Sequence, residues 1–314
     1  MTPPRAVDEA RAARSGIWAL ILACSIWGVS PVFYKLLSDV PPLEILTHRT
    51  LWSMVIFCLY LGAQGRLAEI GRLLFGPQWA LVVLGSVMIA VNWFVFIRSI
   101  LIGQAVEASL GYYIFPLIAV LLGMVFFKEK LSRWKAVAIG IAAVAVGVLT
   151  YGLGVAPWIA LLLAVTFGIY AVIKKRLIAG PVVSLTAEVA LMTPLAIIWF
   201  FHLQMQGAGH FGHDLHHSLM LVFAGFVTAI PLMLFSYASR RVSMAAFGLT
   251  QYLNPTLQFL CATLIFHETF TRWHMIAFGL IWTAVAIFAT QTLAQDRARR
   301  KAASSSATSA ATPM

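Results

Sequence analysis

The chain has 314 residues, of which 61% are hydrophobic and 11% are charged, and its formal net charge is +11. An ordinary soluble domain carries about a quarter charged residues, and a soluble chain this apolar would expose large hydrophobic patches. The composition therefore excludes a soluble globular domain and indicates a protein that lies in a lipid bilayer.

Ten apolar stretches are each long enough to cross a bilayer, which takes roughly 20 helical residues. In chain order they lie near 16–37, 42–62, 78–100, 104–127, 134–151, 155–178, 181–202, 217–239, 243–266 and 271–293. The linkers between them are short, and most contain Pro, Gly or charged residues. The pattern predicts an all-α polytopic membrane protein with ten transmembrane helices.

The positive charges lie on alternate linkers. Most of the 22 Lys and Arg residues fall in the two terminal segments and in the second, fourth, sixth and eighth linkers. Because cytoplasmic segments of membrane proteins are enriched in Lys and Arg, this distribution predicts that both termini are cytoplasmic. It also accounts for the net charge without a nucleic acid partner.

The chain repeats itself at a nearly constant spacing. Trp18, Leu22, Gly28, Val32, Lys35 and Leu37 recur 140 residues later as Trp158, Leu162, Gly168, Val172, Lys175 and Leu177. Tyr113, Pro116, Phe127, Glu129, Arg133, Trp134 and Gly140 recur 139 residues later as Tyr252, Pro255, Phe266, Glu268, Arg272, Trp273 and Gly279. Each unit holds five spans, so the two repeats enter the membrane from opposite sides and are predicted to be inverted, as in many carriers.

These features predict four segments. A cytoplasmic tail at 1–15 precedes a first repeat at 16–152 and a second repeat at 153–293. The last segment, 294–314, is rich in Ala, Ser and charged residues and has too few large apolar residues to form a core. We therefore predict that it is a disordered cytoplasmic tail.

Charged residues inside predicted spans are candidates for function, since each costs roughly 2.5–3.5 kcal/mol on insertion scales. Arg49 and Glu188 occupy equivalent positions of the two repeats. A functional role would make Glu188 a proton-coupling group or cation ligand and Arg49 an anion anchor. The alternative is that each is paired within the bundle. His48 either titrates near pH 6–7 or packs as a neutral ring.

Two charged residues flank the linker between the third and fourth spans. Arg98 ends one span and Glu107 begins the next. We expect a salt bridge between them that closes this hairpin on the outer side. The alternative is a charged rim at the outer mouth of a cavity.

Polar aromatic and amide side chains cluster in the middle of several spans. Such groups combine flat apolar faces with a hydrogen-bonding group, which suits amphipathic organic solutes. The candidates for a substrate pathway are Asn92, Trp93, Tyr112, Tyr113, Gln251, Tyr252, Asn254, Trp27, Tyr34 and Tyr170. Pro116, Pro231 and Pro255 each free a backbone carbonyl and weaken a helix, as in helices that line cavities. Ordinary helix packing is the alternative for all of these residues.

Other motifs point away from catalysis. The segment His213-Asp-Leu-His216-His217 has the form of a desaturase histidine box but stands alone, and we interpret it as a polar loop. Glu129 and Glu268 each precede a Ser or Thr that can cap a helix, so we interpret both as turn residues. No phosphate-binding Gly-x4-Gly-Lys loop is present, which argues against ATP-driven pumping. We predict no enzyme activity, no cofactor and no metal site.

Several motifs together carry a family resemblance that covers about residues 16 to 290. They are His48-Arg49 with Trp52-Ser53, Asn92-Trp93, Glu107-Ala-Ser-Leu-Gly111-Tyr-Tyr with Pro116-Leu, Pro157-Trp158, Val227-Thr-Ala-Ile-Pro231-Leu-Met-Leu-Phe235 and Gln251-Tyr-Leu-Asn-Pro255-Thr. The chain resembles the RarD branch of the EamA drug/metabolite transporter superfamily. The resemblance implies a ten-helix permease of the bacterial inner membrane, built from two inverted repeats. Relatives often have Asn where this chain has Phe115 and an aromatic residue where it has Arg98, so we expect a different substrate range.

The sequence thus predicts a secondary carrier that moves a small organic solute by alternating access. The solute is not identified by the sequence, and proton coupling through Glu188 is a hypothesis. A passive channel or lipid scramblase is the first alternative, and a membrane-embedded enzyme is the second. The lipid bilayer is a predicted partner, whereas nucleic acid is not.

Overall fold

A computed structural model describes residues 4–128 and 132–310, except for the side chains of 4–11, 244–245, 292 and 295–310. Within these ranges the chain is helical and forms no strand. The helices are α1 (Pro4–Lys35), α2 (Pro42–Ala63), α3 (Leu67–Leu74), α4 (Trp79–Leu101), α5 (Ala105–Phe127), α6 (Arg133–Leu153), α7 (Trp158–Arg176), α8 (Pro181–Gln206), α9 (Leu215–Ser239), α10 (Met244–Gln251), α11 (Leu253–Leu260) and α12 (Arg272–Ala310).

Nine of the helices in the described part of the chain are long and apolar enough to cross a membrane. They are α1 from Ala12 onward, α2, α4 to α9, and α12 as far as Gln291. The prediction of an all-α, multi-pass membrane protein is therefore confirmed. The short helix α3, which buries Ile70 and Leu73, was not predicted.

The predicted span at 243–266 is not one continuous helix. Helix α10 ends at Gln251, α11 begins at Leu253, and a π-helical turn, Cys261–Ile265, follows. The break coincides with Pro255, which has no N–H to donate to the carbonyl of Gln251 and whose ring crowds that carbonyl. Helices α5 and α9, by contrast, remain helical through Pro116 and Pro231.

Helices extend into both of the segments predicted as tails, 1–15 and 294–314. Helix α1 begins at Pro4, and α12 continues to Ala310. The segments beyond the spans are rich in Ala and Arg, which have high helix propensity. A helix that is established in the span therefore continues into them.

The helix ends meet at two faces of the bundle. On one face, Ser15 and Tyr237 share a hydrogen bond of 3.2 Å, and the amide of Gln78 donates to the carbonyl of Arg176 at 3.0 Å. We call this the basic face, because Arg66, Arg176, Arg240 and Arg241 lie at the helix ends there. On the opposite face, the carboxylate of Glu268 accepts hydrogen bonds of 2.8 Å from both Ala105 and Val106 at the start of α5.

The helices pack in pairs that correspond between the two halves of the chain. Helix α1 packs on α9 and α11, while α7 packs on α4 and α5. Similarly, α2 packs on α9 and α8 packs on α4. All of these contacts join the two halves of the chain. Equivalent helices also contact each other where α2 meets α8, α5 meets α11 and α6 meets α12.

Two glycines at equivalent positions of the repeats each allow two helices to cross at close range. A Cβ atom added to Gly28 would lie 2.6 Å from the Cβ of Leu257, and one added to Gly168 would lie 3.0 Å from the Cγ2 of Ile118. Leu257 follows Ile118 at the same spacing that relates the repeats. In each case the first helix of one half crosses a helix of the other half, and the two crossings are at equivalent positions.

Candidate functional site

A cavity of about 360 Å³ lies between α5, α7, α10, α11 and α12. It extends from the level of Tyr112 to the ends of α5 and α7 on the basic face, at Phe127 and Lys175. Its aromatic lining consists of Tyr112, Phe115, Phe127, Phe167, Tyr252 and Phe288, and its polar lining includes Lys175, Gln251 and Asn254. Among the described residues that line the cavity, none is acidic. The wall thus offers ring faces and two amides.

The predicted pathway residues divide into two groups. Tyr112, Gln251, Tyr252 and Asn254 line the cavity. The others, Asn92, Trp93, Tyr113, Trp27, Tyr34 and Tyr170, lie outside its lining. Except for Trp27, each residue of the second group contacts either a residue that lines the cavity or one of the buried charged residues Arg49 and Glu188.

Asn92 holds a lining residue in place. It is almost completely buried, and its amide nitrogen donates to the carbonyl of Leu163 and the hydroxyl of Thr166, each at 3.0 Å. Its amide oxygen accepts a hydrogen bond of 2.9 Å from the hydroxyl of Tyr112. Asn92 therefore ties α4 to α5 and α7 and fixes the orientation of the Tyr112 ring.

Tyr113 and Tyr252, which occupy equivalent positions of the two repeats, have different environments. Tyr113 is 2% exposed, and its hydroxyl forms a 2.7 Å hydrogen bond with the hydroxyl of Thr256. Its ring stacks on that of Tyr252, with centroids 6.4 Å apart and planes 18° apart. Tyr252 faces the cavity, and its buried hydroxyl has no hydrogen-bond partner among the described residues. Tyr113 is thus enclosed by packing, whereas Tyr252 lines the cavity and has a buried hydroxyl that no described residue binds.

Glu188 is completely buried and paired. One carboxylate oxygen accepts from the ammonium of Lys174 at 2.7 Å, and the other accepts from the hydroxyl of Tyr170 at 2.8 Å. The same ammonium donates to Ser184 at 2.6 Å. The Tyr170 ring stacks on Phe167 at a centroid distance of 5.9 Å, and Phe167 lines the cavity. The rings of Tyr170 and Phe167 therefore lie between the ion pair and the cavity.

Sequence reasoning missed Lys174 as the partner of Glu188. It placed Lys174 with Lys175 and Arg176 in a linker on the basic face, whereas α7 extends to Arg176 and carries all three. A spacing of four residues from Tyr170 to Lys174 was the available signal, because such residues share a face of a helix.

Arg49 is also buried, but it has a neutral partner. Its guanidinium donates to the hydroxyl of Tyr34 at 2.9 Å and lies over the Trp93 ring at 4.1 Å from the centroid. The neighbouring His48 is 2% exposed and stacks on Phe211 at 4.7 Å, which fits the packing interpretation of that ring. Arg49 and Tyr34 connect α2 to α1 beside α4.

The predicted salt bridge between Arg98 and Glu107 is wrong. Arg98 is exposed in the last turn of α4 and forms no salt bridge with Glu107, whose carboxylate lies near the start of α7. Free N–H groups and the helix dipole attract a carboxylate to such a position.

Trp27 packs at 5.6 Å from the Phe235 ring and does not line the cavity.

Glu268, one of the two glutamates predicted to be turn residues, binds the start of another helix. Glu268 follows the π-helical turn, but its carboxylate reaches across the bundle to the first N–H groups of α5. It therefore caps a helix of the other half of the chain. Glu129 lies outside the described residues.

The histidine-rich segment forms polar contacts on the opposite face. The imidazole of His217 lies 2.5 Å from Asp214 and 2.6 Å from Asp39. The backbone N–H and the imidazole of His217 hold the pKa of the Asp214 carboxyl below its usual value. His210 binds Glu44 at 2.9 Å. In the described part of the chain, no group of three or more His, Cys, Asp or Glu residues is arranged to hold a metal ion.

Comparisons with known proteins agree on one family. Residues 14–151 and 155–290 each match the model of the EamA-like transporter family. A protein RarD of Streptomyces exfoliatus is 40% identical over 295 residues, covering 92% of this chain and 94% of the relative. The uncharacterized transporter YojE of Bacillus subtilis is 36% identical over 294 residues, covering 91% of this chain and 97% of that protein. A solved crystal structure that is 19% identical covers 89% of this chain and 97% of its own, with a TM-score of 0.57, and shows likeness of fold alone.

Proposed function

The chain belongs to the RarD branch of the EamA-like transporter family, and we propose that it is a secondary carrier of small organic solutes that works by alternating access. The observation that carries this proposal is the cavity. It is walled by helices of both halves of the chain and reaches only one face of the bundle. A solute site between two halves that is open on one side is what alternating access requires.

The relation between the two halves supports inverted repeats at 16–152 and 153–293. Each half matches the same family model, and equivalent helices make equivalent contacts in both. We count ten crossings by taking α10, α11 and the π-helical turn as one interrupted span. Interrupted helices are common at the binding sites of carriers, where the freed backbone groups face the cavity.

The structure fits an inward-facing form of such a carrier if the basic face is cytoplasmic. The cavity then opens to the cytoplasm at Lys175. Toward the opposite face it is closed by the Tyr113–Thr256 hydrogen bond and by the cap that Glu268 places on α5. In the outward-facing form we expect these contacts to open. This orientation places both termini in the cytoplasm of a bacterium, with the protein in its inner membrane.

Reporter fusions test this orientation. Fusions after residues 70 and 240 are expected to give a cytoplasmic signal, because both positions lie on the basic face. A fusion near residue 210 is expected to give an external signal. The measurement is alkaline phosphatase activity, which requires export, against green fluorescent protein fluorescence, which requires the cytoplasm. A cytoplasmic signal at 210 would contradict both the ten-span model and the inverted repeats.

We further propose that the pair of Glu188 and Lys174 couples transport to protons. Protonation of the carboxylate would remove the ionic attraction between α8 and α7. Because Tyr170 connects this pair to the cavity wall through Phe167, a change in the pair can reach the solute. An intramembrane acidic residue in a carrier is a natural proton site.

Transport kinetics distinguish a carrier from a channel. Purified protein is screened with small organic solutes by thermal shift, and each stabilising compound is then tested for flux in proteoliposomes. We expect uptake that saturates with concentration and is accelerated by unlabelled solute on the other side. Uptake that rises linearly and is unaffected by solute inside would contradict the carrier and favour a channel.

A further inference from the structure

Arg49 is a buried cation that has no counter-ion among the described residues. The residue is 6% exposed, and its Nε–H is buried with no hydrogen-bond partner among the described residues. Its polar contact is the neutral hydroxyl of Tyr34, and no described Asp or Glu forms a salt bridge with it. Burial of an unpaired charge is costly, and buried charges are normally paired. An anion that joined the site would supply the missing partner.

The equivalent site in the second half of the chain contains its own counter-ion. Glu188 corresponds to Arg49, and Lys174 corresponds to Tyr34 at the 140-residue spacing. The two pairs are in direct contact at similar distances, 2.7 Å in the second half and 2.9 Å in the first. The second pair is neutral as a whole, whereas the first retains one positive charge.

The guanidinium lies at the level of the closed end of the cavity. Arg49 is seven residues after Pro42, which begins α2, and Tyr112 is seven residues after Ala105, which begins α5. Both helices begin at the opposite face, so at 1.5 Å per residue both side chains are about 10 Å from it. Tyr112 lines the cavity.

A short chain of contacts joins the two residues. Arg49 donates to the hydroxyl of Tyr34, the Tyr34 ring packs on Phe96 at a centroid distance of 6.0 Å, and Phe96 packs on Tyr112 at 5.7 Å. The rings of Tyr34 and Phe96 therefore lie between the guanidinium and the cavity lining. A movement of these rings would expose the guanidinium to a bound solute.

The lining of the cavity fits the same class of solute. It presents aromatic rings and the amides of Gln251 and Asn254, and the described lining includes no acidic residue. We infer that the carried solute is an aromatic organic anion, and that Arg49 binds its carboxylate or similar group at the closed end of the cavity. This inference rests on the proposed function, and it assigns both the substrate class and the anchoring residue.

A series of three benzamides tests the charge preference. Hippurate, hippuramide and N-(2-aminoethyl)benzamide share one ring and one amide and differ in a terminal carboxylate, amide or ammonium group. We expect the purified protein to bind hippurate about tenfold more tightly than hippuramide, as one bidentate charged contact provides. The cationic compound is expected to bind most weakly. The readout is the shift in melting temperature with ligand concentration, together with the flux of each labelled compound in proteoliposomes against protein-free vesicles.

Arg49→Gln and Arg49→Lys test the residue. The Gln variant is expected to bind hippurate and hippuramide equally, and the Lys variant to retain part of the preference. The unliganded Gln variant should melt no lower than the parent, since it removes an unpaired buried charge. Trp93 adds a local signal: its fluorescence, isolated by comparison with Trp93→Phe, should change with hippurate in the parent and not in Arg49→Gln.

The outcomes separate the inference from the proposed function. Equal binding of hippurate and hippuramide by the parent, with saturable flux of either, overturns the anion inference and leaves the carrier in place. A hippurate preference that survives in Arg49→Gln overturns the role of Arg49. Channel-like flux of every stabilising compound overturns the proposed function itself. A tenfold preference that disappears in Arg49→Gln and returns in part with Lys supports the inference.

Discussion

Replacement of Glu188 by Gln is expected to lower the free energy of unfolding by roughly 3–5 kcal/mol, because it leaves the buried end of Lys174 without its counter-ion. Glu188 is fully buried, and both of its carboxylate oxygens are occupied, one by Lys174 at 2.7 Å and the other by Tyr170 at 2.8 Å. The amide of Gln can accept only one of these bonds. The measurement is reversible unfolding of the detergent-solubilised protein in sodium dodecyl sulfate, followed by circular dichroism.

The matched control is a double variant. Lys174→Met alone is expected to be destabilising, because it leaves the carboxylate unpaired, whereas Glu188→Gln with Lys174→Met leaves no buried charge. We expect the double variant to recover most of the stability, since neutral replacement of a whole buried ion pair is often harmless. A loss equal to the sum of the single losses would show no coupling between the residues and would contradict the ion pair.

The same double variant tests proton coupling without the complication of instability. If Glu188 carries the coupled proton, a pH gradient should no longer drive accumulation of solute in proteoliposomes. Exchange of solute between compartments of equal pH should remain. Accumulation that is unchanged in the double variant would exclude Glu188 as the coupling group and leave His48 or uncoupled transport.

Local patterns in the sequence predicted the membrane helices well. A run of apolar residues between Gly, Pro or charged linkers is sufficient to define a spanning helix, because every backbone hydrogen bond is made within the segment. The break between α10 and α11 was harder to predict. Pro116 and Pro255 occupy equivalent positions, but α5 remains continuous while the second half breaks at Tyr252. The packing around each proline decides whether the helix continues or breaks, and this packing cannot be read from the sequence.

The partners of buried side chains were the least predictable feature. Lys174, Lys175 and Arg176 look alike in the sequence, but the crossing of α7 and α8 brings Lys174 to Glu188. Arg98 and Glu107 are close along the chain, but Arg98 is exposed and the Glu107 carboxylate lies near the start of α7, so they form no salt bridge. Such contacts join residues that are distant in sequence, so only the tertiary arrangement of the helices defines them.

Tyr113 and Tyr252 illustrate how one repeated residue acquires two roles. They were predicted to line the pathway together, but the structure buries Tyr113 against Thr256 and leaves Tyr252 at the cavity. Tyr113→Ala is therefore expected to lower the free energy of unfolding by about 3–5 kcal/mol, as for other large-to-small changes in a core. Tyr252→Ala should cost clearly less, because one side of its ring faces open space.

Transport should respond in the opposite way. Tyr252→Ala is expected to lower the initial rate of solute uptake about tenfold or more at equal amounts of folded protein, through loss of one ring face and one hydroxyl from the site. Tyr252→Phe isolates the hydroxyl, which is buried without a partner among the described residues. Its removal should not destabilise the protein, since no internal hydrogen bond is lost. If that hydroxyl binds the solute, the Phe variant should show a raised KM at an unchanged folded yield. If Tyr252→Ala destabilises the protein as much as Tyr113→Ala, while Tyr252→Phe transports normally, then Tyr252 is a packing residue and the cavity is not the solute site.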